Sequence, residues 1–238
     1  MKQRLDQALV QRKIVATRSQ AESYIKLGEV KVDGRYVTKP GTLVAEDTKL
    51  ELTVKEQYVS RAALKLASVA QALKLDFKNK TVLDVGSSTG GFTDYALQHG
   101  AAKVIAVESG TDQLHQSLKG HQQIELHEKT DIRDFRTEQQ IDVVVADVSF
   151  VSLREILPSV AKLCGQQTQI VAMVKPQFEA AASSLKHKGV IKNDKMRRQI
   201  LKDFEEWAKS KFVIIDKADS AVAGAKGNQE RFYLLKLY

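Results

Sequence analysis

Apolar residues change period along the first fifty positions. LDQALV and SQAESYIKLG carry them at helical spacing, the second segment opening near Thr17 or Ser19 and stopped by Gly28. VKVDGRYV and TKLELTV turn to a strand pattern, and the Asp33-Gly34 pair signals a type I′ hairpin. KEQYV, residues 55–59, is polar without a period and predicts a linker between residues 1–54 and residues 60–238. SRAALKLASVAQALKL then reads as an amphipathic helix. Beyond residue 80 the strand candidates are TVLDV, KVIAVE, IELHE, DVVVADV, IVAMV, FVIID and FYLLKL, with helical stretches expected between the first five. Uninterrupted apolar strands of this kind belong to a mostly parallel sheet covered by helices on both faces. The expected fold is therefore α/β with a seven-stranded sheet, preceded by a small α+β domain.

Composition adds exclusions more than assignments. With 43% apolar and 28% charged residues among 238, the chain has the make-up of a globular protein. No apolar run approaches the roughly 18 to 20 residues of a membrane-spanning helix, and MKQRLDQALV lacks the apolar core of a secretion signal, so a cytoplasmic location is expected. The single cysteine, Cys164, cannot form an internal disulfide and reads as a buried or helical filler; no Cys/His pair has metal-ligand spacing, so no metal is expected. The net charge of +8 favours a polyanionic partner without choosing between nucleic acid and an acidic membrane surface. Residues 1–54 hold 10 Lys+Arg against 7 Asp+Glu, a net of +3, which leaves +5 for the rest.

The candidate chemistry lies at strand ends. The first strand of the larger part runs into Asp84-Val85-Gly86-Ser87-Ser88-Thr89-Gly90-Gly91-Phe92-Thr93-Asp94, then a helix. Glycines there allow a tight turn and close approach of a ligand to the main chain. Their spacing fits neither the dinucleotide fingerprint nor the phosphate-binding loop, and Asp84 suits a cationic sulfonium with an amino-acid tail better than a pyrophosphate. The competing reading is a plain tight turn. Glu108, 22 residues after Gly86, closes the second strand where a nucleoside site uses an acid for the ribose hydroxyls. Asp131-Ile132 falls where an adenine pocket would be, or serves as a helix cap. Asp147, Lys175 and Glu230 stand at three further strand edges, and Asp147 and Lys175 should converge at the carboxyl edge of the sheet. Partial desolvation would make Lys175 usable as a base, whereas an ordinary strand-end lysine would reach solvent.

Two resemblances sharpen this. Arg4-Leu5-Asp6, Arg18-Ser19-Gln20-Ala21, Ile25-Lys26-Leu27-Gly28-Glu29-Val30, Val32-Asp33-Gly34 and Lys39-Pro40-Gly41 resemble the RNA-binding domain of small-subunit ribosomal protein four. That likeness implies RNA contacts at Arg4, Arg18, Lys26, Lys31 and Arg35. Ser60-Arg61-Ala62-Ala63-Leu64-Lys65-Leu66, the Asp84–Asp94 turn, Ala146-Asp147-Val148-Ser149-Phe150-Val151-Ser152-Leu153, Val174-Lys175-Pro176-Gln177-Phe178-Glu179 and Gly227-Asn228-Gln229-Glu230 resemble the TlyA, or hemolysin A, family in its order. Members join that RNA-binding domain to a Rossmann-like, FtsJ-like ribose 2′-O-methyltransferase of ribosomal RNA. The resemblance implies a catalytic tetrad of Lys65, Asp147, Lys175 and Glu230. It also implies S-adenosylmethionine held by Asp84, Gly86, Ser88, Gly90, Gly91, Phe92, Glu108, Asp131 and Ile132.

On that reading Lys175 is the base, Lys65 opposes its charge and holds the ribose, and the two acids orient the amines. The chain departs from the family's usual residues at Ala62-Ala63, at Asp131, and over AAASSLKHKGVIKN, whose Lys186, Lys188 and Lys192 are candidate phosphate contacts. Because it begins near Arg4 and ends on the last strand candidate, it resembles the family's short forms, and a cytidine ribose in large-subunit RNA is the expected acceptor. The competing functions are a non-catalytic ribosome-binding or assembly protein, which would not bind the cofactor, and a membrane-lytic protein. The amphipathic MRRQILKDFEEWAKSK mixes both charge signs as a packing helix does, which disfavours the latter.

Overall fold

A computed structural model describes residues 2–54, 57–180, 189–224 and 227–238; Lys186 and Lys188, and Lys55 and Glu56 of the expected linker, lie outside the described residues. The N-terminal part runs β1 (Gln3–Arg4), α1 (Leu5–Gln11), α2 (Arg18–Lys26), β2 (Val30–Val32), β3 (Arg35–Tyr36), β4 (Leu43–Val44) and β5 (Leu50–Leu52). Thr17 caps α2 in a reciprocal box with Gln20, and Gly28, at φ +76°, ends it. Asp33 and Gly34 both take positive φ, as a type I′ turn demands, and Val32 pairs with Arg35 across them. Strands β3, β2 and β5 form one small sheet, and β1 pairs with β4. Leu5, Leu9, Tyr24, Ile25 and Val30 form a dry core that also takes in Leu64 and Val222 from the larger part.

The larger part supplies α3 (Arg61–Ala70), β6 (Thr81–Val85), α4 (Gly91–Gln98), β7 (Lys103–Val107), β8 (Ile124–His127), β9 (Val143–Ala146) and α5 (Leu153–Ala161). It continues through β10 (Gln169–Val174), α6 (Pro176–Glu179), α7 (Asp194–Lys209), β11 (Val213–Asp219) and β12 (Arg231–Lys236). All seven strand candidates form one sheet in the order β11-β12-β10-β9-β6-β7-β8, in which β12 runs antiparallel to both its neighbours. Alternate residues of each strand feed opposite faces. Leu83, Ile105, Val144 and Ala172 meet α5 and α7, while Val82, Val104, Val145 and Met173 meet α3 and α4. Helix α7, the amphipathic segment noted above, buries Ile200, Leu201, Phe204 and Ala208. No helix among the described residues is long and apolar enough to cross a membrane.

The expectation of a helix at every crossover among the first five strands is corrected at two of them. Residues 108–123 and 128–142 contain turns and no helix. Asp112, Gly120 and Lys129 take positive φ there, and Asp131 spends its side chain on Arg133 backbone and guanidinium, so local polar bonding replaces helix formation. Strand order reverses between β6 and β9, which opens a crevice at their carboxyl ends, the usual ligand position in an open α/β sheet.

Candidate active site

Two adjoining clefts open at that switch point. The larger, of about 580 Å³, is lined by Gly86, Ser88, Glu108, Asp131, Ile132 and Phe150 among others; the smaller, of about 130 Å³, by Asp84, Phe92, Asp147 and Lys175. Gly86, Ser88, Asp147 and Ser149 border both. Gly86 sits at φ +78°, and a Cβ on it would lie 3.0 Å from the Asp147 carbonyl, so only glycine lets β6 turn beside β9 here. Gly90 and Gly91 line neither cleft. Gly90 packs under Leu114 and Leu118 at the start of α4, and Gly91 leaves room for Ser60 and Ala62 of the neighbouring helix start.

The cleft carries carboxylates of different character. Asp84 is 1% exposed; its Oδ2 accepts from Thr93 Oγ1 at 2.6 Å, and Oδ1 is buried with no partner among the described residues. Burial, with Asp147 and Glu108 nearby, pushes its pKa up to about 7. An orphaned carboxylate oxygen beside a cleft is a demand for a cationic or donor ligand. Glu108 is buried at the end of β7 and accepts from the Ser88 and Gly110 amides at 2.9 and 2.6 Å, which fixes its carboxylate toward the cleft floor. Asp131 is engaged by Arg133, whose bonds hold its pKa low.

The four residues of the implied tetrad come together as two ion pairs. Lys175 Nζ lies 2.5 Å from Asp147 Oδ1, joining the ends of β10 and β9, and Lys65 Nζ lies 2.6 Å from Glu230 Oε2, joining α3 to the start of β12. Glu230 is 2% exposed, and burial raises its pKa against the pull of Lys65. Gly224 lies against that carboxylate, where a Cβ would come within 2.7 Å of Oε1.

Three neighbours had no role assigned from sequence. Ser149 Oγ accepts a 2.7 Å bond from Lys175 Nζ. Phe150 is 91% exposed, has φ +66°, and its ring lies 5.3 Å from that of Phe178. A left-handed aromatic residue costs about 1–3 kcal/mol, strain that clusters at functional sites. Glu179, 1% exposed, accepts from Ser152 Oγ at 2.6 Å and from the Leu153 amide at 2.7 Å. The loops after β9 and β10 are thus fastened at three successive points: Lys175 to Asp147, Phe178 to Phe150, and Glu179 to Ser152. Only a phenylalanine in a polar loop hinted at this in the sequence.

The basic residues of the N-terminal part divide. Arg4 and Arg18 both bind the carboxylate of Asp6, which is wholly buried, each at 2.9 Å. Lys31 lies over the ring of Tyr36, whereas Lys26 and Arg35 are exposed and without an ion pair among the described residues, as is Lys192.

Residues 58–237 match the family model of FtsJ-like methyltransferases, and residues 3–50 match the S4 domain. The 23S rRNA (cytidine-2′-O)-methyltransferase TlyA of Campylobacter jejuni is 39% identical over 193 residues, 80% of this chain and 75% of that protein. The 16S/23S rRNA (cytidine-2′-O)-methyltransferase TlyA of Mycobacterium tuberculosis is 34% identical over 239 residues, 98% of this chain and 89% of its own. A solved structure from Streptococcus thermophilus that carries the name hemolysin is 32% identical, with a TM-score of 0.71, and the match covers 99% of this chain and 88% of that one. The chain belongs to the TlyA, or hemolysin A, family, in which an S4 domain precedes an FtsJ-like methyltransferase domain.

Proposed function

We propose that this protein transfers a methyl group from S-adenosylmethionine to a ribose 2′-hydroxyl of ribosomal RNA. The observation that carries the reading is the meeting of two lysine–carboxylate pairs, Lys175–Asp147 and Lys65–Glu230, beside a cleft floored by the orphaned carboxylate of Asp84. The cofactor fits the residues present. Asp84 answers a cationic amino-acid tail, Glu108 a ribose diol, and Asp131-Ile132 an adenine edge, while Gly86 gives close main-chain approach. When bound, S-adenosylmethionine supplies an already activated methyl group on a positively charged sulfur.

The protein is left with positioning and with one proton. Lys175 takes the proton of the attacking hydroxyl at Nζ. Asp147 balances the ammonium so formed. Lys65, held by Glu230, bonds the ribose. Phe150 offers an exposed face on which a base unstacked from RNA can rest, since sequence-specific RNA contacts are made largely to bases splayed out of the helix. Lys26 and Arg35 of the S4 domain bind phosphate, and Lys31 assists from beside Tyr36. Arg4 and Arg18 reach RNA only with the charge left over from Asp6.

The acceptor proposed is a cytidine of large-subunit RNA, the target that the names of both TlyA relatives share. Incubating ribosomal subunits with the protein and methyl-labelled cofactor, then mapping ribose methylation, tests this. One labelled cytidine 2′-oxygen in large-subunit RNA is expected. Label on a base, or no label on either subunit, refutes it, and absence of cofactor binding beside absence of label would favour an assembly factor.

A further inference from the structure

Among the described residues Lys175 has two anionic or polar partners, and they differ in kind. Asp147 Oδ1 is close, at 2.5 Å, but its contact lacks the alignment of a hydrogen bond. Ser149 Oγ, at 2.7 Å, is the aligned acceptor of Lys175 Nζ among the described residues. Asp147 therefore fixes the charge beside the amine, and Ser149 fixes the direction in which the amine points.

We propose that Ser149 is a positioning residue for methyl transfer, whose hydroxyl sets the rotation of the Lys175 amine so that its lone pair faces the acceptor hydroxyl. The proposal rests on Lys175 being the base, as argued above. A neutral primary amine has two N–H bonds and one lone pair in a tetrahedral arrangement. With one N–H committed to Ser149, rotation about the last carbon–nitrogen bond is set, and the negative charge of Asp147 disfavours a lone pair on its own side, so the remaining direction belongs to the lone pair. Ser149 borders both clefts, so this direction is defined at their junction, where the methyl donor and the ribose must meet. The balance closes within the site. The hydroxyl proton passes to Nζ, the hydroxyl oxygen forms the new bond to the methyl carbon, and the carbon–sulfur bond gives its electrons to sulfur.

Without the Ser149 oxygen the amine is free to turn about its last carbon–nitrogen bond, and the lone pair meets the hydroxyl in only part of the population. Orientation of a general base is worth much of its effect. Ser149 is exposed, so its replacement by a β-branched residue meets no packed core.

The test is the isosteric pair Ser149→Thr and Ser149→Val, which differ only in the hydroxyl, assayed in the full-length protein with ribosomal subunits and S-adenosylmethionine. The threonine variant is expected to keep kcat within about twofold of the parent. The valine variant is expected to lose about tenfold or more in kcat, with KM for RNA and the dissociation constant of the cofactor unchanged, an amount consistent with part of a general-base contribution. Equal kcat in the two variants overturns the proposal, as does a valine defect confined to KM. Lys175→Ala is run beside them: full activity there would overturn the assignment of Lys175 itself, whereas an inactive Lys175→Ala with an unimpaired valine variant would overturn the role of Ser149 alone.

Discussion

Thr93 satisfies one oxygen of the buried Asp84 carboxylate, at 2.6 Å, and leaves the other without a partner among the described residues. Burial outweighs the Thr93 bond and, with Asp147 and Glu108 nearby, pushes the pKa of this carboxyl up to about 7. In the cofactor-free protein this group contributes stability that is full below its ordinary pKa of about 3.9 and is lost as pH rises through about 7. A cationic ligand prefers the ionised form, so S-adenosylmethionine should bind more tightly as pH rises from 5.5 to 7.5, by up to about tenfold per unit on the acid side. Calorimetry across that range checks it. The Asp84→Asn variant should bind weakly with no such dependence, and an unchanged slope in that variant would remove Asp84 from the site.

Glu179 braces the two loops that carry Lys175 and Asp147. Glu179→Ala leaves the Ser152 hydroxyl and the Leu153 amide without their acceptor and should cost about 1–3 kcal/mol in unfolding free energy. Methyl transfer should fall at saturating substrate with cofactor affinity held. Chemical denaturation and steady-state rates report the two effects separately. Glu179→Gln, which keeps an acceptor for the amide, should recover most of both.

Phe150 is held in a strained backbone conformation with its ring in solvent. Phe150→Ala should weaken RNA binding by about 1–3 kcal/mol, the usual worth of one aromatic–base stack, and leave cofactor binding unaltered. Titration of ribosomal subunits in the presence of S-adenosylhomocysteine measures it; equal affinity of parent and variant would mean the ring is not a base platform.

Asp6 ties α1 to β1 through Arg4 and to α2 through Arg18. Burial pushes its pKa up, but the two guanidinium bonds outweigh this and hold it below the ordinary carboxylate range. Its contribution is therefore present at neutral pH and lost as pH falls below about 4. Asp6→Asn should lower the melting temperature of the S4 domain at pH 7 and flatten its decline in acid. A parent-like melting curve at both pH values would contradict this.

Much of this site was legible because apolar strands end in conspicuous residues. Asp84, Glu108, Asp147 and Lys175 each interrupt or follow a run of Val, Ile, Leu or Ala, and the parallel pairing of β7, β6, β9 and β10 carries such ends to one edge. Gly28 likewise bounds α2 by cap chemistry, and of the two starts the sequence offers, Thr17 and Ser19, the cap is Thr17. Strands β1 and β4, two residues each, are too short to show a period. The crossovers at 108–123 and 128–142 have helical composition in part, yet positive φ at Asp112 and Lys129 and the self-bonding of Asp131 prevail. Ser149 and Glu179 were hidden for another reason. Their meaning lies in contacts between two loops that only the folded sheet brings together. Arg4 and Arg18, expected at RNA from the resemblance, also bond the buried carboxylate of Asp6, a partner that the sequence pattern alone does not show.

The most direct test of the account is single-turnover methyl transfer from labelled S-adenosylmethionine to large ribosomal subunits by Lys175→Ala, beside a calorimetric measurement of cofactor binding by the same variant. Cofactor affinity within about twofold of the parent, with transfer slowed by about 10²–10⁴-fold, is the expected result for loss of the base. Transfer at the parental rate would contradict it.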